Sequence, residues 1–572
     1  MEDKKISPES RFWRLLKPDK REIRNIYVYA VFNGLINLSL PLGIQAIVNF
    51  IQGGRVSTSW IVLVSIVVLG IGATGVLQIF QLRITETLQQ KIFTRAALEF
   101  SYRIPRIKME AIYKHYAPEL MNRFFDTMSV QKGLAKIIVD FSSAILQVTF
   151  GLILLSLYHP FFILFSAVLS FLIYIIFRVT WKKGLETSLD ESKEKYKVAH
   201  WLEELARTHI TFKLAGSTDL PMKNADKKIS KYITERENHF KILVKQYSGM
   251  VLFKVLVAIG LLAIGGMLVM SQQMNIGQFV AAEIIILLIM ASVEKLVLNL
   301  ETIYDVLTSL EKIGQVTDLD LESDIGFPLD QDGQGMEINL EKVNFNYPGT
   351  TFKSLRQVSL NINPGERILL AGGNGSGKTT LLYILAGLYE INDGLLQFNG
   401  KSWRTLNLES LRSSIGDFLS HEQLFEASIQ ENITMGREDI TEENLRWAIT
   451  NLKLESFINS QDQGLNTMVD PEGKRFSGSV IQKLLLARAI ADKPKLLLLD
   501  EALEQIREDE RLEIIDFLVD PSNPWTLVST SASIYLAKQA HKIVVMHEGS
   551  VYKVGDYEST KQYLTHNRTP NA

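Results

Sequence analysis

Not one cysteine occurs in the 572 residues, which excludes disulfides, thiolate-held metals and a cysteine nucleophile. Net charge is nearly absent too: 61 lysines and arginines face 63 aspartates and glutamates, a formal −2. The basic footprint that nucleic-acid-binding chains carry is missing, so nucleic acid is set aside as a partner. The first 24 residues hold too many charges for the apolar core of a cleavable signal peptide, and an N-terminus that stays in the cytoplasm is expected. Within them Phe12, Trp13, Leu15 and Leu16 stand beside Arg11, Arg14 and Lys17. That is the composition of a short helix at a membrane surface, or of a disordered basic tail.

Charge is also missing over long windows of the first 300 residues. None falls between Arg24 and Arg55, a stretch longer than the ~20 residues that cross a bilayer. Val56 to Leu82 forms a second such window after a short link, "GGRVSTS". Phe141 to Phe177 is too long for one crossing and is divided at the helix-breaking "YHP" of 158–160. Val255 to Ala282 ends near a polar turn, "SQQMNIGQ". Six spans result, at about 25–50, 59–82, 138–158, 161–178, 248–271 and 277–298.

Among the three short turns between paired spans, the only Lys or Arg is Arg55, whereas segments 83–136 and 178–245 are rich in both. The short turns are therefore expected outside and the long segments inside, as helices continuing into the cytoplasm. Glu283 falls inside span six. It is a candidate pathway residue, or a carboxylate that reaches the nearby interface or pairs within the bundle. Lys254, Glu294 and Lys295 lie near the cytoplasmic ends, where snorkelling accounts for them.

Past span six the composition turns acidic and Gly-containing, which marks a linker over 316–335 and a soluble domain over 336–572. There the strand-like "RILLA" runs into "GGNGSGKTT" and then the apolar "LLYILAGLY". The loop matches G-x-x-x-x-G-K-[ST] between a strand and a helix, the context a phosphate-binding loop needs. Gly372, Gly373, Asn374, Gly375, Ser376, Gly377, Lys378, Thr379 and Thr380 are its candidate nucleotide-binding residues. Amides at a helix N-terminus cradle phosphates, Lys378 reaches the terminal ones, and Thr379 can ligate Mg²⁺. Four leucines, Leu496 to Leu499, then end in Asp500 and Glu501. A buried strand presenting carboxylates at its C-terminal edge suits Asp500 to a metal and Glu501 to the attacking water.

On these residues the chain, from about 10 to 560, resembles an ATP-binding cassette exporter half-transporter of the type I secretion and multidrug kind. The resemblance implies an all-α transmembrane domain of six helices (25–315) behind an N-terminal interfacial segment (1–24). Long cytoplasmic helical extensions would follow from it, fused to an α/β P-loop nucleotide-binding domain. It implies that ATP and Mg²⁺ are bound, that Tyr347 stacks on adenine, and that two nucleotide domains close head to tail. Each ATP would lie between one P-loop and the other subunit's signature. By position, turns near Tyr113 to Met121 and Thr208 to Ser217 match where such exporters couple membrane helices to nucleotide domains.

The departures from the family pattern gather around hydrolysis. Ser420 stands where a glutamine is usual, and Gln423 is out of register. Glu504, Gln505, Ile506 and Arg507 replace the Ser-Ala-Leu-Asp that usually follows the catalytic glutamate. Ala532 takes the place of the switch histidine, and alanine cannot hydrogen-bond a phosphate or water. His541 is read as a surface residue. In "RFSGSVIQKLLLARAI", Ser477 and Gly478 keep the Ser-Gly places of the signature, while Phe476, Ser479 and Val480 replace Leu, Gly and Gln. Ser477 also suits a plain helix cap.

The expectation for the whole is ATP-driven export by one half of a dimer, catalysed through Glu501, with weak hydrolysis at its own site. The alternative is a largely non-hydrolysing ATP-bound subunit that gates or scaffolds a heterodimeric complex. Expected partners are a second half-transporter, with a heterodimer favoured over a homodimer, a transported substrate and, as a further candidate, a periplasmic adaptor. The expected place is the bacterial inner membrane, with both termini cytoplasmic.

Overall fold

The computed structural model describes residues 6–52, 58–329, 335–420 and 422–564. The expected external turn with Arg55, and 330–334 of the expected linker, lie outside the described residues. The chain divides into two compact units, one of Met1–Pro105 and His115–Leu319, the other of Arg106–Lys114 and Asp320–Ala572.

The first unit is helical. Helix α1 (Pro8–Leu16) opens at Ser7, whose hydroxyl caps the Ser10 amide, with Pro8 in the first turn. Long helices follow: α2 (Lys20–Gln52), which runs on through Pro41, and α3 (Thr58–Arg103). Next, α4 (Asp126–Lys136) continues through a π-helical turn, Ile137–Phe141, into α5 (Ser142–Ser156). After α6 (Pro160–Arg207) and the short α7 (His209–Leu214) comes α8 (Leu220–Gly260). A second π turn, Leu261–Gly265, leads into α9 (Gly266–Met270), and α10 (Ile276–Thr317) closes the unit.

Among the described residues, six helical stretches are long and apolar enough to cross a membrane. The breaks between them have local causes. His159 caps α6 through its ring nitrogen, 3.2 Å from the Phe161 amide, and Pro160 follows in the first turn. Asn275 and Gln278 form a capping box at the start of α10. The 48 residues of α6 measure about 70 Å at ~1.5 Å per residue, more than twice a ~30 Å hydrocarbon core. Its polar second half therefore extends beyond the bilayer.

Helix α10 is the most enclosed. Its Ile285, Ile286, Ile289 and Val293 are fully buried in a cluster with Val148, Phe162, Phe253 and Val257. Further along, Gly184 lets Tyr304 approach so closely that a Cβ there would stand 2.4 Å from the tyrosine ring. The Tyr304 hydroxyl accepts from Gln246 Nε2 at 2.8 Å, and the same amide donates to Thr180 at 2.9 Å. Arg11 ties α1 to α10 by ion pairs with Glu311 (3.4 Å) and Asp318 (2.5 Å), its guanidinium lying over Gly314.

The second unit holds two main sheets. β1 (Ile338–Phe345), β2 (Leu355–Ile362), β4 (Asp393–Phe398) and β5 (Lys401–Ser402) form an antiparallel sheet in the order β2-β1-β4-β5. The other sheet contains β3 (Arg367–Ala371), β6 (Ile415–Phe418), β9 (Leu496–Asp500), β10 (Thr526–Thr530), β11 (Lys542–His547) and β12 (Ser550–Gly555). Its order is β12-β11-β3-β10-β9-β6, all parallel except β12, with β7 (Ala427–Ser428) and β8 (Met468–Val469) as a separate short ribbon. β3, β9 and β10 are buried at every residue, which is why they read as unbroken apolar runs. The buried Arg367 is satisfied by carbonyls: it donates to Gly365 (2.9 Å), Asp520 (2.7 Å) and Trp525. Helices α11 (Lys378–Leu385), α12 (Gly478–Ile490), α13 (Glu508–Val519) and α14 (Ile534–Gln539) pack around this sheet.

Candidate functional site

The phosphate-binding loop leaves the C-terminal end of β3 and enters α11. Three of its glycines have backbone angles that other residues adopt only with strain: Gly372 (φ 138°), Gly375 (φ 77°) and Gly377 (φ 99°). At Gly372 a Cβ would also come within 2.2 Å of the Met546 carbonyl oxygen. The loop is thus a concave run of backbone at a helix N-terminus, with Gly373, Asn374 and Gly375 exposed. Ser376 Oγ is buried inside it without a hydrogen-bond partner.

Lys378 folds back over the loop, its Nζ donating to the Gly372 and Gly373 carbonyls at 2.8 and 3.1 Å. Burial lowers its pKa from the ordinary lysine value, with Glu501 and Asp500 pulling the other way. A cation held over exposed amides is a fitting cradle for phosphate.

Asp500 ends β9 buried and ringed by hydroxyls. Its Oδ2 accepts from Thr379 at 2.8 Å and Ser420 at 2.5 Å, and its Oδ1 accepts from Thr530 at 2.6 Å. Among the described residues there is no cluster of three or more His, Cys, Asp or Glu side chains that could hold a metal. A single carboxylate beside a threonine hydroxyl suits Mg²⁺, which keeps several waters and takes its remaining ligands from substrate phosphates.

Glu501 follows in a left-handed backbone conformation (φ 52°), its amide donating to the Thr530 carbonyl (3.2 Å) and hydroxyl (3.0 Å). That turn leaves the carboxylate exposed at a cavity of about 480 Å³ lined by Gly372–Ser376, Lys378, Glu501, Glu504 and Ala532. Ala532 offers this cavity only a methyl group.

The other candidate residues lie elsewhere. Ser477 caps α12, its hydroxyl accepting from the Val480 amide at 3.4 Å. It lines a separate cavity of about 330 Å³ with Phe457, Arg475, Phe476 and Val480. Gly478 is half-buried, and a Cβ there would come within 2.0 Å of Gln505 Oε1, the end of a flexible side chain. Thr380 is turned from the loop, its hydroxyl 3.1 Å from that of Tyr347. The Tyr347 ring packs edge-on to Phe345 and Tyr389 and stacks on Tyr113 at 5.3 Å. Tyr113 belongs to the short segment that joins this unit, held by a Lys108–Glu390 ion pair (3.2 Å) and by Glu110 accepting from the Glu390 amide (2.9 Å). His541 is exposed, and its Nδ1 accepts from the Arg367 amide at 2.9 Å.

The sequence reading did not single out Thr530, which holds both Asp500 and the Glu501 amide. Its only signal is a hydroxyl ending a buried apolar strand, in register with Asp500.

Two family models match: "ABC transporter transmembrane region" over residues 23–293 and "ABC transporter" over 355–504. Multidrug resistance protein pgp-1 of Caenorhabditis elegans is 31% identical over 224 residues, 39% of this chain and 17% of that protein. The putative multidrug export ATP-binding/permease protein YgaD of Bacillus subtilis is 31% identical over 233 residues, 40% of each chain. The matched stretch thus spans less than half the length of either relative. A solved bacterial Atm1-family ABC exporter with ATP bound shares the fold with a TM-score of 0.81, at 17% identity, over 95% of this chain and 96% of that one. With both matched regions on one polypeptide in that fold, the chain belongs to the ABC transporters, as an exporter-type half-transporter: one membrane region followed by one ATP-binding domain.

Proposed function

We propose that the chain performs ATP-driven export as one half of a dimer, with ATP binding closing two nucleotide domains and hydrolysis reopening them. The observation that carries this reading is the division of the site. Lys378, Glu501 and the glycine loop share one cavity, while Ser477 lines another. A second subunit's signature is then needed to complete the site over the P-loop, and Ser477 and Gly478 serve the partner's nucleotide in turn.

In this reading the amides of Asn374 to Thr379 hold the phosphates, Lys378 leaves its carbonyls for the terminal phosphate oxygens, and Tyr347 stacks on the base. Thr379 and Asp500 hold Mg²⁺, which when bound neutralises phosphate charge. Glu501 orients the water that attacks the γ-phosphorus and receives its proton as the bond to ADP breaks. Hydrolysis here is weak, because Ser420 spends its hydroxyl on Asp500 and Ala532 supplies no polar contact. Losing one preorganised polar contact costs on the order of 10²-fold in rate. Such a subunit works best beside a more complete half-transporter, which favours a heterodimer. The exposed Ile210 and Leu214 on α7 suit the turn near Thr208 to Ser217 to coupling membrane helices to a nucleotide domain. The charge pattern of the loops supports cytoplasmic termini; the membrane proposed is a bacterial inner one, with a periplasmic adaptor as a further candidate partner.

The test is Mg-ATPase of the full chain purified alone in nanodiscs, beside Glu501→Gln. Slow turnover abolished by Glu501→Gln is expected, rising when a second half-transporter is co-reconstituted. Robust turnover by the chain alone overturns the weak-site reading, and nucleotide binding without any transport by the reconstituted pair overturns export.

A further inference from the structure

Polar side chains are costly within a membrane span and mark pathways when they cluster. In the first unit they form stripes at helical spacing that run along the first three spans and into their cytoplasmic extensions, where Thr85, Lys132 and Lys136 lie. On α2, Asn33 and Asn37 are four residues apart, their amides 3.4 Å from one another. On α3, Gln78, Gln81 and Thr85 recur at intervals of three and four. Lys132, Lys136 and Gln147 follow along α4 and α5, and the π turn Ile137–Phe141 lies in the middle of that stripe. Such turns appear frequently at functional sites.

The three stripes line one open cavity of about 470 Å³, within the size range of small-molecule sites. Its polar groups are largely unspent. Gln81 donates to the Ile26 carbonyl at 3.2 Å, but the side-chain amides of Gln78 and Gln147 form no hydrogen bond among the described residues, and Thr85 Oγ1 is buried without a partner. The charge is one-sided. Asp140, the only acid in the lining, is taken by Lys295 at 2.8 Å. Lys132 and Lys136 have no acidic partner among the described residues, so two positive charges face the space uncompensated.

We propose that this cavity is a water-filled binding site for a hydrophilic, anionic solute of the acidic-oligopeptide class. Primary amides, donors and acceptors at once, match peptide groups, and the two free ammonium groups match carboxylates. A lipophilic cation finds neither an aromatic cage nor a counter-charge here. The inference rests on the transport reading and names the chemistry of its cargo.

The cysteine-free chain makes the test direct. Gln147→Cys and, separately, Gln78→Cys are introduced into the full chain in nanodiscs and labelled with methanethiosulfonates, anionic (ethylsulfonate) or cationic (ethyltrimethylammonium). Each rate is normalised to that of a free thiol. Both cysteines should react, the anionic reagent being favoured about tenfold at low salt by two nearby positive charges. Lys132→Gln with Lys136→Gln should bring the ratio close to one. Millimolar tetraglutamate should slow labelling where tetralysine does not. Failure of both reagents at both cysteines in monodisperse protein overturns the water-filled site, and equal normalised rates overturn its charge preference. No nucleotide is turned over, so a failure of the export reading would leave charge-selective labelling intact and be told apart.

Discussion

Thr530→Val removes one oxygen from the nucleotide domain while leaving the side-chain volume almost unchanged. That oxygen donates to Asp500 Oδ1 at 2.6 Å and accepts from the Glu501 amide at 3.0 Å, and the threonine is only 2% exposed. A hydrogen bond to a charged group is worth about 1.5–3 kcal/mol, or roughly 10- to 150-fold in an equilibrium that depends on it. Asp500 keeps Thr379 and Ser420 on its other oxygen, so the carboxylate stays in place but is freer to rotate. Calorimetric titration of the full chain in nanodiscs, with Mg-ATP and with ATP in EDTA, separates the two contributions. Mg-ATP affinity should fall at least tenfold in Thr530→Val, ATP-EDTA affinity should barely move, and Thr530→Ser should behave as the parent. Identical Mg²⁺ dependence in the parent, serine and valine chains would refute the idea that Thr530 orients Asp500.

At the Tyr304 contact, Gly184→Ala places a methyl 2.4 Å from a buried ring. Thermal denaturation in detergent should show destabilisation of about 1–3 kcal/mol, the usual cost of overpacking. Glu422 is raised from its ordinary value to about 8, chiefly by burial and then by the charge of Asp417. A carboxyl raised on folding contributes stability that is full below about pH 4.5 and lost as pH rises through about 8. The melting temperature of the parent should therefore fall across that window more steeply than that of Glu422→Gln, and parallel curves would reject the assignment.

Where neighbours in sequence are neighbours in space, the chain could be read directly. "GGNGSGKTT" between an apolar strand and an apolar helix is a loop whose glycine angles are set locally, and the apolar windows became six membrane-length helices. The ring of hydroxyls on Asp500 was illegible, because Thr379, Ser420 and Thr530 come from three segments that only the sheet order brings together. Thr380 looked like one more loop residue, yet helical geometry turns it toward Tyr347. Tyr113 lies between two spans in sequence, but its segment packs with the nucleotide domain and places a second aromatic ring on Tyr347. Nothing in local composition announces that exchange of allegiance. The polar stripes on α2, α3 and α4–α5 were present in the sequence throughout, diluted within windows noticed for their lack of charge.

Helices α6 and α8, of 48 and 41 residues, are about 70 and 60 Å long at ~1.5 Å per residue. They are pinned to each other by polar contacts: the buried Gln246 to Thr180 at 2.9 Å, and the half-buried Thr187 to His239 at 2.9 Å. A braced pair of rods behaves as a beam: a tilt of about 5° at one end of a 70 Å helix carries the other end roughly 6 Å. A small rotation at one end of such a pair is delivered at the other as a displacement of about one side chain's width, with no helix having to unfold.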